Sequence, residues 1–333
     1  MKKIAVILSI GLFFFTMSCK EKKQKVTDKF HGDVKTIREK TYEAVLEDEE
    51  ITKGRKIGSF YDNYLTKFDK EGKKLEQNLF YSNDSLSYRY VFKYNDKGDL
   101  IKKNIYDSDN NLSYKYIYEY DDDGNLVSQE MYYPNGEMVS QYKINYNEKG
   151  QQQEKLICGS DGKVNTQYVF EYDADGRLIE KEIYNENGNL SSKYIYEYDV
   201  RGNKVTEKLY FGNDSLGYKY EFIYDEDDKI IEESRYNPAT SLLSRVSYEY
   251  DDEGKIVNKK SYNKDNEVVT TFTYKYNGEG LLVEKTKSGN DLIYKSTYIY
   301  TDEDEHNNWI KRIEFMNKKP VRITTRGFEY YED

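Results

Sequence analysis

An aromatic residue followed by Asp or Asn returns every 26 residues along most of this chain. A fixed period of this length is typical of repeat architectures, in which each unit is a small supersecondary structure that packs on its neighbours. We predict about nine such units within residues 33–331, with atypical units at both ends. The repeated aromatic positions are Phe68, Tyr94, Tyr120, Tyr146, Tyr172, Tyr198, Tyr224, Tyr250 and Tyr276.

Each unit contains two turn signals about 13 residues apart. The first has the form aromatic-Asp-x-x-Gly, as in residues 120–124, where Asp favours a type I turn and Gly supplies the left-handed backbone that closes it. The second resembles Pro134-Asn135-Gly136. Short connections of this kind predict antiparallel strands, so each unit is a strand-turn-strand-turn. The turn glycines predicted to be structural are Gly98, Gly124, Gly150, Gly176, Gly202, Gly254 and Gly280.

The strand that leads into each Tyr-Asp turn carries aromatic residues at every second position. Side chains alternate across a strand, so these rings share one face, whereas positions such as Ile117 and Glu119 lie on the other. A tyrosine row of this kind is expected to be half-buried, with its hydroxyls reaching water. We predict that the row is a candidate binding surface. It comprises Tyr116, Tyr118, Tyr120, Tyr168, Phe170, Tyr172, Tyr194, Tyr196, Tyr198, Tyr220, Phe222 and Tyr224.

The other strand of each unit begins with apolar residues and has a charged centre, as in Glu180-Lys181-Glu182. We interpret such centres as solvated positions that keep the sheet soluble and protect its edges. The 37 Tyr and only 3 Pro favour an all-β fold. Open sheets rarely exceed ~10 strands without curling. We therefore predict an antiparallel β-meander that coils with its Tyr rows on the concave side, and a β-solenoid of stacked units is the alternative.

The N-terminus has the pattern of a bacterial lipoprotein signal. Lys2 and Lys3 precede an apolar run over residues 4–15, which is shorter than the ~20 residues of a membrane span. We predict a signal peptide at residues 1–18, lipidation of Cys19, and a polar tether through residue 32. Plain secretion with a free Cys19 is the alternative. The predicted location is the outer membrane, facing the periplasm, with the cell surface also open, and the lipid is the predicted membrane contact.

Several kinds of chemistry are not expected. The net charge of -10 disfavours nucleic acid as a partner. Asp121 and Asp123 resemble calcium ligands, but the twelfth loop position is Tyr132 instead of Glu. His31 and His306 lie near opposite ends of the sequence, which argues against a histidine-based site. We therefore expect neither an enzyme nor a bound metal or cofactor.

The Tyr-Asp-x-x-Gly-Asn/Arg-Leu elements at residues 120–126 and 172–178 resemble the YD repeats of the Rhs family. With its signal peptide, the chain resembles the YD-repeat lipoproteins of Bacteroidota over residues 33–331. In large Rhs and Tc toxins such repeats coil into a shell around a toxic domain. This chain has no Asp-Pro-x-Gly element of the kind that ends those shells. The resemblance therefore does not imply toxin delivery.

Three functional hypotheses remain at this stage. The leading one is a non-enzymatic envelope lipoprotein that acts as a protein-protein interaction or scaffold surface. The second is a glycan-binding surface protein, because aromatic rows stack on sugar rings. The third is an immunity or antitoxin-like repeat protein. The identity of the envelope partner does not follow from the sequence.

Overall fold

The computed structural model describes residues 30–58, 62–289 and 292–332, so the predicted signal peptide and Cys19 lie outside the described residues. Its secondary structure there is β-strand joined by turns. The strands are β1 (Val34–Glu47), β2 (Glu50–Lys56), β3 (Tyr64–Phe68), β4 (Lys74–Phe80), β5 (Leu86–Tyr94), β6 (Leu100–Tyr106), β7 (Leu112–Tyr120), β8 (Leu126–Tyr132), β9 (Met138–Tyr146), β10 (Gln152–Cys158), β11 (Val164–Tyr172), β12 (Leu178–Asn185), β13 (Leu190–Tyr198), β14 (Lys204–Phe211), β15 (Leu216–Tyr224), β16 (Ile230–Tyr236), β17 (Leu242–Tyr250), β18 (Ile256–Tyr262), β19 (Val268–Tyr276), β20 (Leu282–Gly289), β21 (Leu292–Glu303), β22 (Trp309–Met316) and β23 (Lys319–Tyr330).

The sheet closes on itself. From β3 to β23 each strand pairs with the next in antiparallel fashion, and β1 pairs with β23 on one side and with β3 on the other. These 22 strands form a closed β-barrel, and β2 forms a hairpin with the second half of β1 beyond the ring. The prediction of an all-β antiparallel meander is confirmed. The sheet is neither an open coil nor a solenoid, because the 14-residue β1 satisfies both edges that an open meander would expose.

Two rims result from the alternation of the turns. The Tyr-Asp rim carries the aromatic-Asp-x-x-Gly turns, and the far rim carries the hairpin turns at the opposite ends of the strands. In a Tyr-Asp turn the N–H of Gly124 donates to the carbonyl of Asp121 at 3.1 Å, and the N–H of Asn125 donates to Asp121 Oδ1 at 2.8 Å. The seven glycines named above have φ between +73° and +93°. Each such turn also shifts the register of its strand pair, as between Glu119 and Tyr120.

The chain joins the barrel at the Tyr-Asp rim. Val34, at the start of β1, pairs with Tyr330, and Thr36 pairs with Lys67 close to the first Tyr-Asp turn. The ring of Phe30 packs edge-on against Phe328, with 5.4 Å between centroids. The strand then runs towards the far rim, where the β1–β2 hairpin extends past the ring.

The two faces of the wall differ in burial. Directly paired residues share a face, so the pairs Lys103–Tyr116 and Tyr116–Met131 place the aromatic row on one side. Burial lowers the pKa of Lys103 and raises that of Tyr118 on this side. We assign this side as the inner face, because curvature crowds the concave side of a sheet. The other side carries exposed residues that include Glu119, Glu171 and Glu197.

The barrel encloses a lumen. Its 22 strands, spaced about 4.8 Å apart and tilted by roughly 40° as closure requires, would give a circular wall about 44 Å across, a size at which barrels hold channels or plugs instead of a packed core. We call the place where β1 pairs with β23 and β3 the seam. Away from the seam the inner aromatic rings are only half-buried, as for Tyr116, Tyr118, Tyr194 and Tyr196. Rings at the centre of a packed sandwich would be fully buried, so these side chains border open space.

Candidate functional site

The tyrosines of the Tyr-Asp turns, which are one part of the predicted aromatic surface, form hydrogen bonds to the backbone. The hydroxyl of each Tyr-Asp tyrosine donates to a carbonyl 20 residues earlier, at a register-shifting bulge. The sequence did not predict this bond, which forms because each bulge leaves a carbonyl available for an inner-face donor. For the four predicted site residues of this kind, the bonds are Tyr120 to Leu100 (3.0 Å), Tyr172 to Gln152 (2.7 Å), Tyr198 to Leu178 (2.7 Å) and Tyr224 to Lys204 (2.7 Å).

The remaining predicted residues form ring pairs along single strands. Within a pair the two rings lie nearly parallel, with centroids 6.3–6.5 Å apart and interplanar angles of 10–19°. Burial raises the pKa of the hydroxyls of Tyr116, Tyr118, Tyr168 and Tyr196. The structure thus brings these residues together on one inner face. The pairs are Tyr116 with Tyr118, Tyr168 with Phe170, Tyr194 with Tyr196, and Tyr220 with Phe222.

A second inner row runs between the aromatic strands and was not anticipated from the sequence. The lysine row, as we call it, consists of the residues at the centres of β4, β6, β8, β10 and β12 that face the lumen. Lys103 lies between Phe92 and Tyr116 in the register, and Lys181 lies between Phe170 and Tyr194. Its members are Gln77, Lys103, Gln129, Lys155 and Lys181, which are also 26 residues apart.

The lysine row corrects the interpretation of the charged strand centres. In Glu180-Lys181-Glu182 the two glutamates lie on the outer face, where Glu182 pairs with Lys193, whereas Lys181 faces the lumen. The triplet therefore divides its charges between the two sides of the wall. The signal in the sequence was the 26-residue recurrence of Lys or Gln at this one position, combined with the alternation of side chains across a strand.

The ammonium groups of the inner lysines lie against the faces of tyrosine rings. Lys103 Nζ lies 4.2 Å from the ring centroid of Tyr116, Lys181 Nζ lies 3.9 Å from that of Tyr194, and Lys155 Nζ lies 4.7 Å from that of Tyr142. Such cation–π contacts contribute about 0.5–2 kcal/mol each. Burial lowers the pKa of all three lysines. The rings therefore offer edges and hydroxyls to the lumen more than open faces.

The row changes character beyond β13. Its next two positions are Glu207 and Glu233, which pair in register with Tyr196 and Phe222. Lys204 Nζ lies 2.6 Å from Glu207 Oε2 and 4.8 Å from the ring centroid of Phe222. This ion pair neutralises charge locally, so the lumen has a cationic sector and a mixed sector.

The closure also brings the two histidines to one place. The side chain of Asn308 accepts a hydrogen bond from the N–H of His31 at 2.8 Å and donates to its carbonyl at 2.9 Å. The ring of His306 lies 3.9 Å, centroid to centroid, from that of Tyr330, which also accepts from Asn308. The inference that these histidines are far apart is therefore wrong: they are distant in the sequence but close together in the structure. Their partners are seam residues that tie the chain start to β23.

Other candidate chemistry is limited to a few observations. Cys158 is a free, buried thiol at the end of β10. Within residues 30–58, 62–289 and 292–332, no group of three His, Cys, Asp or Glu side chains is arranged to hold a metal ion. Over the same ranges, no helix combines the length and the apolar character that crossing a membrane requires.

Comparison with known proteins gives structural likenesses alone. No protein-family model and no curated protein matches the sequence. The chain is similar to a TcdB2-TccC3 crystal structure (13% identity, 78% of this chain and 20% of that chain, TM-score 0.33). It is also similar to a porin-like protein from Bacteroides uniformis (12% identity, 90% of this chain and 99% of that chain, TM-score 0.28). A third likeness is to the Tc holotoxin pore of Photorhabdus luminescens (13% identity, 79% and 19%, TM-score 0.29). The chain spans about a fifth of the Tc chains that it matches.

Proposed function

We propose that this protein is a non-enzymatic, lipid-anchored envelope protein that binds other envelope proteins through its far rim. The observation that carries the proposal is a run of exposed apolar side chains on that rim. Five consecutive far-rim hairpins, from β14–β15 to β22–β23, each present at least one large apolar residue that is between 40% and 65% exposed. These residues are Phe211, Leu243, Val268, Ile293 and Met316.

The five residues line one arc of the rim. Successive hairpins are two strands apart, which is about 10 Å, so the arc extends over roughly 40 Å. Contiguous exposed apolar surface is typical of protein interaction sites, whereas single exposed apolar residues are ordinary. Towards the Tyr-Asp rim the exposed examples lie singly: Val200 in a turn, Leu75 on β4, Ile223 on β15 and Ile299 on β21. The two ends of the barrel therefore differ in the surface that they offer.

The orientation of the chain supports the same proposal. The chain joins the barrel at the Tyr-Asp rim, next to Phe328, so a lipid on Cys19 would hold that rim towards the membrane and leave the far rim accessible. The outer wall supports attachment by the lipid alone. Lipid-facing strands need an apolar band, whereas Glu119, Glu171 and Glu197 occupy outer positions of the aromatic strands β7, β11 and β13.

Site-specific photo-crosslinking in intact cells tests the proposal. A photoreactive amino acid is placed at Phe211 or Val268 on the far rim, and at Val200 or Ile223 as matched exposed controls. We expect discrete crosslinks to envelope proteins from the far-rim positions and none of these from the controls. Identical crosslink patterns from both rims, or crosslinks to lipid alone, would contradict the proposal.

Protease shaving tests the proposed location. We propose an outer-membrane anchor on the periplasmic side, because the tether at residues 20–23 is basic overall. Protease added to intact cells should then leave the protein intact, and protease added after outer-membrane permeabilisation should remove it. Rapid loss from intact cells would place the barrel on the cell surface.

A further inference from the structure

On the inner face of β4–β13 the charged strand residues are all cationic. Every glutamate in these ten strands lies on the outer face, and within residues 74–198, all of which the structure describes, no carboxylate occupies an inner strand position. The outer-face glutamates are Glu76, Glu119, Glu130, Glu154, Glu171, Glu180, Glu182 and Glu197. Lys103, Lys155 and Lys181 face inwards in the same sector. A chain with a net charge of -10 thus encloses a cationic surface.

These inner lysines have ring partners, and the contacts described for Lys103 and Lys155 within residues 74–198 include no ion pair. Half-burying an ammonium without a carboxylate costs stability, which is why burial lowers the pKa of these groups. Gln77 and Gln129 show that an uncharged side chain fits the same row position. The fold therefore does not require a positive charge at this row position.

The surroundings of the lysines indicate what kind of anion they suit. Cationic and neutral amide positions recur every second strand, about 10 Å apart. Between them stand the phenolic hydroxyls of Tyr116, Tyr118, Tyr194 and Tyr196, which donate and accept hydrogen bonds. This pattern suits a polymer whose repeating units carry both carboxylates and hydroxyl groups. Nucleic-acid bases need open aromatic faces for stacking, and ammonium groups cover the faces of Tyr116 and Tyr194.

We propose that the lumen binds a linear acidic polysaccharide along the inner face of β4–β13, with the lysine row pairing with its carboxylates. The site is separate from the far rim, so this inference stands independently of the proposed protein partners. A lumen about 44 Å across between backbones leaves space for a polysaccharide chain after side chains are placed on both sides. Attraction between the lysines and the carboxylates is stronger here than on the outer wall, because the low-dielectric wall concentrates the field of the row.

The test compares two sets of three substitutions that change net charge equally. The inner variant carries Lys103→Gln, Lys155→Gln and Lys181→Gln, which reproduce the glutamine found at positions 77 and 129 of the same row. The matched control carries Lys115→Gln, Lys143→Gln and Lys193→Gln, which are outer-face lysines of the same sector. The probes are labelled oligogalacturonate, a neutral maltooligosaccharide, oligo-dT and oligoglutamate. Binding to the detergent-solubilised full chain is followed by fluorescence anisotropy.

We expect oligogalacturonate to bind with an affinity that falls as salt is raised, since ionic strength screens charge pairing. The inner variant should bind at least tenfold more weakly, and the outer control should bind within about twofold of the wild type. Equal losses in both variants would overturn the assignment to the lumen. Binding of oligo-dT or oligoglutamate as tight as that of oligogalacturonate would overturn the assignment to polysaccharide, as would failure of oligogalacturonate to bind.

Discussion

The hydroxyl of Tyr331 donates a hydrogen bond of 2.7 Å to the carbonyl oxygen of Phe68, 263 residues away in the chain. This bond crosses the Tyr-Asp rim over the start of β1, which lies between the last strand and the first repeat. Phe68 holds the aromatic position of that repeat but has no hydroxyl of its own. The closure therefore uses the same kind of contact, a phenolic hydroxyl on a backbone carbonyl, that links successive repeats elsewhere. A terminal tyrosine completes the ring.

The ion pair at the seam is expected to stabilise closure. Arg326 Nε lies 2.8 Å from Glu39 Oε2, both side chains are mostly buried, and the guanidinium lies 3.6 Å from the ring centroid of Trp309. Removing one partner strands the other charge, so Arg326→Ala should lower the free energy of unfolding by ~3 kcal/mol. Arg55→Ala, which breaks the exposed pair with Glu43, should change it by less than ~1 kcal/mol. Urea denaturation measures the free energy of unfolding of both variants. Equal losses would show that the ion pair at the seam stabilises the barrel no more than the exposed pair does.

The hydroxyls of the Tyr-Asp tyrosines should each contribute measurably to stability. Tyr120→Phe removes the donor to the Leu100 carbonyl and should cost about 1–2 kcal/mol, because a buried acceptor is left unpaired. Tyr116→Phe, on the same strand and face, should cost less than ~0.5 kcal/mol if its hydroxyl only borders the lumen. Thermal unfolding compares the two variants. A larger loss from Tyr116→Phe would reverse the assigned roles.

The turn glycines should tolerate only residues that accept left-handed backbone. Gly124 has φ +84°, and no atom lies within 4 Å of the position that its Cβ would occupy. Gly124→Val should therefore destabilise through backbone strain of ~1–2 kcal/mol, with hydrogen-exchange protection lost around residues 110–150. Gly124→Asn should be nearly neutral, because Asp228 and Asn307 adopt φ 61° at equivalent positions. Asp122→Ser at the turn centre should also be neutral. Unchanged melting of Gly124→Val would contradict the strain argument.

Local features were predictable from the sequence, and closure was not. The 26-residue period and the Asp-x-x-Gly chemistry of residues 120–124 are local, so strands, turns and antiparallel pairing followed from them. Pairing of β1 with both β3 and β23 depends on total twist and strand number, which no single repeat encodes. The inward direction of Lys181 was available in principle. It was missed because the flanking Glu180 and Glu182 suggested a uniformly solvated segment.

The large separation of His31 and His306 in the sequence also led to a wrong interpretation. In an open meander the two ends lie far apart, and only closure places both histidines beside Asn308. The Tyr-Asp tyrosines illustrate a second limit. Period-2 alternation correctly placed Tyr120 on the aromatic face, but the bulge that supplies its acceptor depends on the register of the pair β5–β6. Contacts that require the register of neighbouring strands are not readable from one strand.

Alkaline pH should unfold the barrel as its tyrosines ionise. Burial raises the pKa of Tyr94 to about 12, and burial with the adjacent Glu39 raises that of Tyr64 to about 12, against about 10 in an unfolded chain. Between these values the folded state holds more protons than the unfolded state. The stability that these groups contribute is therefore complete below about pH 10 and is lost as pH rises towards 12. Phenolate absorbance and near-ultraviolet circular dichroism should change together over this window.

The inner lysines should make the stability of the barrel increase with pH, over a range below that in which the tyrosines ionise. Burial lowers the pKa of Lys103, Lys155 and Lys181, so the unfolded chain binds more protons than the barrel between their folded values and about 10.4. Stability should rise with pH across that interval and then fall as tyrosines ionise, which gives a maximum near pH 10. The triple glutamine variant of these lysines should lose most of the rise and keep the fall, whereas the outer-face control should keep both. A smaller rise should remain, because burial also lowers the pKa of Lys74. Denaturation midpoints measured from pH 7 to 12 distinguish these profiles, and a rise of unchanged size in the inner variant would show that other groups cause it.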